Sequence, residues 1–160
     1  MGTVTEDPPG YTLPLLLLGG FRLVIDELHR ELAKHGHPEA RPVHGFALQA
    51  LGVGGGTVSE LGRRLGVSKQ AAAKTAAGLE RLGYVKRLGD PADRRMQLLH
   101  LTARGAELLA LSAEVLARVR SGWCNELGAA QLHALEDSLS SMLDGTNLPT
   151  RMDMPGWLGG

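Results

Sequence analysis

One short segment combines hydrogen-bonding, cationic and small apolar side chains at a predicted helix start. Ser68 is followed by Lys69 and Gln70, and Ala73 and Lys74 come one turn later. A glutamine amide can pair with adenine through two hydrogen bonds, a lysine can reach guanine or a phosphate, and an alanine methyl can touch a thymine methyl. Ser68 can cap the helix and touch a phosphate. The alternative is an alanine-rich surface helix whose lysines are only solvated.

A second group of charged side chains lies in the segment Asp93-Arg94-Arg95. An arginine inserted into a narrow minor groove of DNA reads the negative potential there. The neighbouring Asp93 can hold a guanidinium in place through a charge-assisted hydrogen bond. The alternative is a turn whose charges only increase solubility.

The elements around the first group have the order of a helix-turn-helix. Thr57 and Glu60 form a capping box that begins a short helix. Gly66 marks a tight turn, and Ser68 caps a second helix that is predicted to reach Leu82. Two short helices joined by a turn of a few residues are typical of this motif.

A charged β-hairpin is predicted directly after the second helix. Residues 84–87 and 96–101 have the composition of strands, and residues 90–93 have the composition of a turn. A hairpin at this position is a wing. The glycine-rich residues 52–56, before the motif, are predicted to be a flexible connector.

Amphipathic helices are predicted on both sides of this unit. Apolar residues recur at helical spacing over residues 12–35, 42–51, 103–126 and 129–143. In the second of these helices, Val43 and Phe46 are among the residues expected to face inward. The first and last helices carry more apolar surface than a small lobe can cover, which is typical of an interface.

The charge distribution is uneven although the net charge is zero. Residues 57–95 contain nine lysines and arginines and only four acidic residues, so this segment carries +5 and the rest of the chain −5. A basic centre between acidic ends suits a DNA-contacting module. An ordinary solvated surface is the alternative.

The composition indicates one globular domain with an aliphatic core. The chain has 160 residues, of which 43% are hydrophobic and only 4% aromatic. No apolar run reaches the roughly 18 residues of a transmembrane helix, so no membrane partner is expected. The single cysteine, Cys124, excludes an internal disulfide framework and favours a cytoplasmic location.

Residues 57–105 resemble the MarR (multiple antibiotic resistance regulator) family of winged helix-turn-helix transcription regulators. The resemblance rests on the run from Val58-Ser59-Glu60-Leu61 to Tyr84-Val85-Lys86-Arg87. It also rests on the wing pattern of Asp, any residue, Arg, five residues, Leu and Thr, found at Asp93, Arg95, Leu101 and Thr102.

This resemblance implies a homodimer whose terminal helices interlock and whose two lobes bind a pseudo-palindromic operator in double-stranded DNA, as in a repressor. Many members of the family are released from DNA by small aromatic effectors bound between the dimer helices and the winged lobe. Phe21 and His44 are the candidate residues for this cleft, although a surface or packing histidine is the favoured interpretation of His44.

The expected fold is mostly α, with a two-stranded wing and a helical dimerisation region. The predicted division is a disordered N-terminus at 1–10, a dimerisation region at 11–52 and 103–145, a DNA-binding lobe at 53–102 and a loose tail at 146–160.

Other functions have weaker support in the sequence. Cys124 could sense oxidants, but a buried structural cysteine is the favoured interpretation because no basic group is placed to lower its pKa. The clustered His29, His35, His37 and His44 lack a regular pair of metal ligands, so no metal site is predicted. A thiol-sensing or metal-sensing regulator, or a winged helix used for protein–protein contact, remains the alternative function.

No enzyme and no cofactor are expected. The glycine-rich residues 52–56 lack the lysine and the preceding strand of a phosphate-binding loop. Asp90 and Asp93 suit a turn and an arginine anchor better than an acid–base pair.

Overall fold

Six helices and one β-hairpin form the part of the chain that the computed structural model describes, residues 7–93 and 95–144. They are α1 (Thr12–Lys34), α2 (Pro42–Leu51), α3 (Val58–Leu65), α4 (Lys69–Arg81), β1 (Val85–Gly89), β2 (Gln97–Leu101), α5 (Ala103–Leu127) and α6 (Ala129–Leu143). The mostly α winged helix-turn-helix fold is confirmed. The predicted loose tail, most of the predicted disordered N-terminus and Arg94 lie outside the described residues.

Side-chain caps fix the starts of three helices at the predicted positions. Thr57 Oγ1 accepts from the Glu60 amide at 3.1 Å, and Glu60 Oε2 accepts from the Thr57 amide at 2.7 Å, so the capping box is complete. Ser68 Oγ accepts from the Ala71 amide at 3.1 Å. Thr102 caps α5 in the same way. The local sequence therefore sets where α3, α4 and α5 begin.

Helices α3 and α4 pack closely because small residues face each other. Ala72, Ala76 and Leu79 form the buried face of α4. A Cβ added at Gly62 of α3 would lie 3.2 Å from the Cβ of Ala72, so glycine provides the space for this contact. The packing leaves the opposite face of α4 toward solvent.

The core is aliphatic with one large exception. Leucine, valine and alanine side chains from α1 to α5 and from both strands form one buried cluster. Tyr84 is the largest fully buried side chain, and it lies between the end of α4 and the start of the wing.

The wing is an antiparallel hairpin in which Val85 lies opposite Leu101. A further pairing joins it to the α2–α3 connector. The Gly56 amide donates to the Leu99 carbonyl at 3.1 Å, and the Leu99 amide donates to the Gly56 carbonyl at 2.8 Å. The prediction of a merely flexible connector is therefore wrong at its last residues, since main-chain pairing holds them.

Two residues of α2 predicted to face inward are partly exposed. Val43 and Phe46 retain 43% and 39% of their accessible surface, because α2 turns its His44 and Leu48 face into the core instead. Cys124, predicted to be buried, is half-buried in α5. None of the described helices combines the length and hydrophobicity of a membrane-spanning helix.

Candidate nucleic-acid interface

The first turns of α4 present the predicted base-reading residues on the surface of the lobe. Lys69, Gln70 and Lys74 are exposed, and Ala73 is half-buried beside them. This arrangement follows from the packing of α4, whose alanine face is fixed against α3. Ser68, also exposed, orders the first turn through its cap to the backbone.

Basic side chains of this lobe fall into two groups. Arg64 donates to the Ala50 carbonyl at 2.6 Å, and Arg87 donates to Glu80 Oε2 at 3.1 Å, so both are engaged within the fold. Lys69 and Lys74 form no hydrogen bond or ion pair with any residue in the described part of the chain. Their charges remain available to an external anion.

The wing tip is ordered by its own aspartates. Asp93 Oδ1 accepts from the Arg95 amide at 2.9 Å, and Asp90 Oδ1 accepts from the Ala92 amide at 2.8 Å. Asp93 therefore fixes the main chain of the turn. The Arg95 side chain is exposed and forms no ion pair with the described residues.

Two contacts set the position of the wing relative to α4, and the sequence interpretation missed both. The Glu80–Arg87 ion pair links α4 to β1. The Gly56–Leu99 pairing links β2 to the residues before α3. Gly56 and Leu99 are distant along the chain, and Glu80 and Arg87 are close in sequence but lie in different elements, so the pattern within a single element indicated neither contact.

An apolar cavity of about 220 Å³ lies between α1, α2 and α5. Phe21, one of the two predicted cleft residues, is part of its wall. The wall residues are Phe21, Val24, Ile25, Leu28, His29, Leu32, Ala40, Arg41, Pro42, Gly45, Phe46, Leu108, Ser112 and Leu116.

His44, the second predicted cleft residue, is not part of this wall. Its Nδ1 accepts from the Arg41 amide at 3.2 Å, and its ring centroid lies 6.4 Å from that of Tyr84. Burial lowers the pKa of His44, and nearby Arg41 and Arg81 lower it further. The side chain therefore belongs to the core around Tyr84.

Within residues 7–93 and 95–144, no three histidine, cysteine, aspartate or glutamate side chains come together in a way that could hold a metal ion. Cys124 lies on α5, remote in sequence from the helix-turn-helix.

Part of the sequence that contains these elements matches a known protein family. Residues 42–96 match the model of the MarR family. This segment belongs to the MarR family. No curated protein matches the sequence of the chain.

Several solved structures share the fold of this chain. The transcriptional regulator Tm0710 from Thermotoga maritima is 27% identical, with a TM-score of 0.55 over 81% of this chain and 90% of that one. FabT from Streptococcus pneumoniae, solved in complex with DNA, is 20% identical, with a TM-score of 0.66 over 81% and 92%. PcaV from Streptomyces coelicolor, solved with its natural ligand, is 22% identical, with a TM-score of 0.63 over 91% and 99%.

Proposed function

We propose that the protein is a transcription regulator that binds operator DNA and carries out no covalent chemistry. The observation that supports this most directly is the surface of α4. Lys69, Gln70 and Lys74 are exposed together at the start of a capped helix, and the two lysines have no partner within the described residues. Helices of this motif enter the major groove with their N-terminal residues toward the bases.

In this proposal each predicted residue has a defined role. Gln70 reads adenine, Lys69 and Lys74 reach guanine or phosphates, and Ala73 offers its methyl to thymine. Ser68 holds the first turn and meets a phosphate.

Arg94 and Arg95 enter the minor groove or contact its phosphates, while Asp93 stabilises the turn by accepting a hydrogen bond from the Arg95 amide. The FabT complex supports this role by likeness, because a protein of the same fold is bound to DNA there.

The apolar surface that the single chain leaves exposed supports a homodimer as part of this proposal. Exposed large apolar residues are concentrated on α1, at Leu13, Leu15, Leu16, Leu17, Leu18, Phe21 and Leu23. Others lie on α6, at Leu135, Met142 and Leu143. A patch of this extent marks an interface. A second copy would present the same face, and paired lobes would then read half-sites about one DNA turn apart.

Repression and its relief by an effector are the finer part of the proposal. The cavity between α1, α2 and α5 is lined almost wholly by apolar side chains and suits a small aromatic molecule. PcaV, which shares the fold, was solved with its natural ligand. Because α1 belongs to the proposed dimer region and α2 packs on the winged lobe, a ligand here could change how the two are arranged.

Fluorescence anisotropy tests the proposal. The purified protein is titrated against labelled DNA from upstream of its own gene and against a scrambled control, over a series of salt concentrations. Tight binding that prefers the upstream fragment and weakens steeply with salt would support an autoregulating DNA binder. Absence of binding to either fragment at low salt would contradict it and favour a winged helix used for protein–protein contact.

A further inference from the structure

Arg104 joins three parts of the chain at one point. Its Nη2 donates to the Gly36 carbonyl in the α1–α2 loop at 2.8 Å, and its Nε donates to the Leu82 carbonyl at the end of α4 at 3.2 Å. Its guanidinium carbon lies 5.2 Å from the ring centroid of Tyr84, at the base of the wing. One side chain on α5 therefore connects the end of α4, the proposed DNA-recognition helix, and the base of the wing to the loop that follows α1.

Beneath this contact lies a histidine with an incomplete set of hydrogen bonds. His37, in the α1–α2 loop, is only 1% exposed. Its Nδ1 lies 3.1 Å from the Tyr84 hydroxyl, while its Nε2 is buried and forms no hydrogen bond with the described residues. The carboxylate of Glu107, on α5, is 3.9 Å from Nε2, too far for a hydrogen bond, and is itself exposed.

The charges around His37 oppose its protonation. Burial lowers its pKa, the Arg104 guanidinium lowers it further, and the Glu107 carboxylate acts in the opposite direction. His35, on the same loop, also lowers this pKa, although its own Nδ1 contacts the Glu31 carbonyl at 2.8 Å.

The other titratable groups near Tyr84 do not supply a counter-charge to His37. His44 of α2 packs on Tyr84 at a centroid distance of 6.4 Å. Glu39 is paired with Arg81 of α4 at 3.4 Å. Glu107 is therefore the one carboxylate in ion-pair distance of His37 within the described residues.

Protonation of His37 would change its hydrogen bond with Tyr84 and its interaction with Arg104. In the cation both ring nitrogens carry a hydrogen, so the Tyr84 hydroxyl must accept from Nδ1. A second positive charge would also appear near the guanidinium of Arg104. Arg104 is exposed, but the His37 ring is only 1% exposed, so solvent screens the repulsion between the two charges only in part. The guanidinium that holds Gly36 and Leu82 would be displaced.

We propose that His37, Tyr84 and Arg104 form a proton-sensitive joint, in which protonation of His37 loosens the hold of Arg104 on the recognition helix and lowers DNA affinity at acid pH. This inference rests on the proposed DNA-binding function. The conformation that binds DNA is the one in which His37 stays buried and neutral. A conformation that admits water to His37 gains population as the pH falls, because it binds the additional proton more readily.

DNA affinity measured by anisotropy from pH 8 to pH 5.5, at constant ionic strength, tests the joint. We expect the wild-type affinity to fall by roughly a few-fold toward the acid end, because the conformation that keeps His37 buried and neutral loses population there. H37N, which keeps an acceptor for the Tyr84 hydroxyl but cannot be protonated, should lose most of this dependence. H35N, a change at the exposed histidine of the same loop, should retain the acid loss of affinity, moved to slightly higher pH because His35 no longer lowers the pKa of His37.

E107Q supplies a second test at an exposed position. Removing the carboxylate takes away the group that favours the His37 cation, so the acid loss of affinity should move to lower pH. An acid loss that is unchanged in both H37N and E107Q would overturn the proposal.

Binding of DNA and opening of the joint can be separated by NMR. In protein labelled with ¹³C-histidine and ¹⁵N, the His37 ring resonances and the Leu82 amide resonance should shift together as the pH is lowered. The two groups should have the same midpoint pH as each other, both in the free protein and in the DNA complex. If no DNA is bound at any pH, the proposed function fails, while a common midpoint still supports the joint. A His37 titration that leaves the Leu82 amide unmoved would overturn the joint whether or not DNA is bound.

Discussion

Gly56 and Leu99 exchange two main-chain hydrogen bonds, with N···O distances of 3.1 and 2.8 Å. The pair attaches the wing to the residues that precede α3, so the wing is held at a second point besides its own hairpin turn. Gly55, the preceding residue, adopts a φ of +70°, and a Cβ there would lie 2.3 Å from the Leu99 carbonyl oxygen. The close approach of connector and wing therefore requires glycine at position 55.

Gly55→Ala should destabilise the protein by at least about 2 kcal/mol, because alanine disfavours this backbone conformation and its methyl collides with the Leu99 carbonyl. Urea denaturation followed by circular dichroism measures the loss. Gly54→Ala is the matched control, since a Cβ there meets no atom within 4 Å and its φ is not positive. Equal stability of both variants would show that the wing is not held by this approach.

Features set by a few adjacent residues could be predicted from the sequence. The caps at Thr57, Ser68 and Thr102 each depend on a side chain and an amide three residues later, so helix starts follow from local composition. The position of the wing, whose first strand begins at Val85, could be predicted from the strand and turn composition of consecutive residues. These local signals also identify α4 as the helix with an exposed, cationic start.

Features that depend on contacts between distant residues could not be predicted. Gly56 and Leu99 are separated in sequence by α3, α4 and β1, and the glycine-rich composition before α3 indicated only flexibility. Arg104 and Gly36 are 68 positions apart, so nothing local connects them. Phe46 was expected to be inward because it is apolar, but its surroundings in a single chain leave it partly exposed.

Arg95→Ala should weaken DNA binding by about tenfold and reduce the slope of log affinity against log salt by about one, because one exposed cation of the wing is lost. Anisotropy across a salt series measures both effects. Arg118→Ala removes the same charge from α5, where Arg118 pairs with Glu31 at 3.5 Å, and should leave DNA affinity unchanged. If Arg95→Ala binds as tightly as the wild type, the wing arginine has no part in the interface.

Gln70→Ala should relax sequence preference more than it lowers total affinity, because an amide that reads a base distinguishes sequences while a phosphate contact does not. Binding to an array of operator variants, compared with the wild type, measures this. Lys74→Ala should weaken binding to every sequence by a similar factor if Lys74 contacts a phosphate. A uniform loss in Gln70→Ala would show that Gln70 contacts the backbone of the DNA.

The free energy of unfolding should fall as the pH is lowered from 7.5 to 5.5, and His44 should contribute to this fall. Burial holds the pKa of His44 below its ordinary value of 6.5, so the unfolded chain takes up a proton before the folded chain does. The stability due to neutral His44 is thus present above pH 6.5 and decreases as the pH drops below it. Urea denaturation at several pH values should show a smaller decrease for His44→Asn, which keeps an acceptor for the Arg41 amide.

His133→Asn, a change at an exposed histidine of α6, should retain the wild-type dependence of stability on pH. Identical curves for His44→Asn and the wild type would show that His44 takes up no additional proton on unfolding in this range.

Leu16→Lys should convert the protein from a dimer to a monomer at micromolar concentration. Leu16 is 68% exposed on the apolar face of α1 in the single chain, and a buried lysine at a dimer interface would lack a partner for its charge. Light scattering coupled to size-exclusion chromatography measures the mass. Val53→Lys, at a 96% exposed position in the α2–α3 connector, should leave the dimer intact.

The Leu16→Lys monomer should also bind an operator more weakly than the wild type, since only one recognition helix reaches the DNA. A dimer that persists in Leu16→Lys would place the interface on another surface, and a monomeric wild type would contradict the homodimer itself.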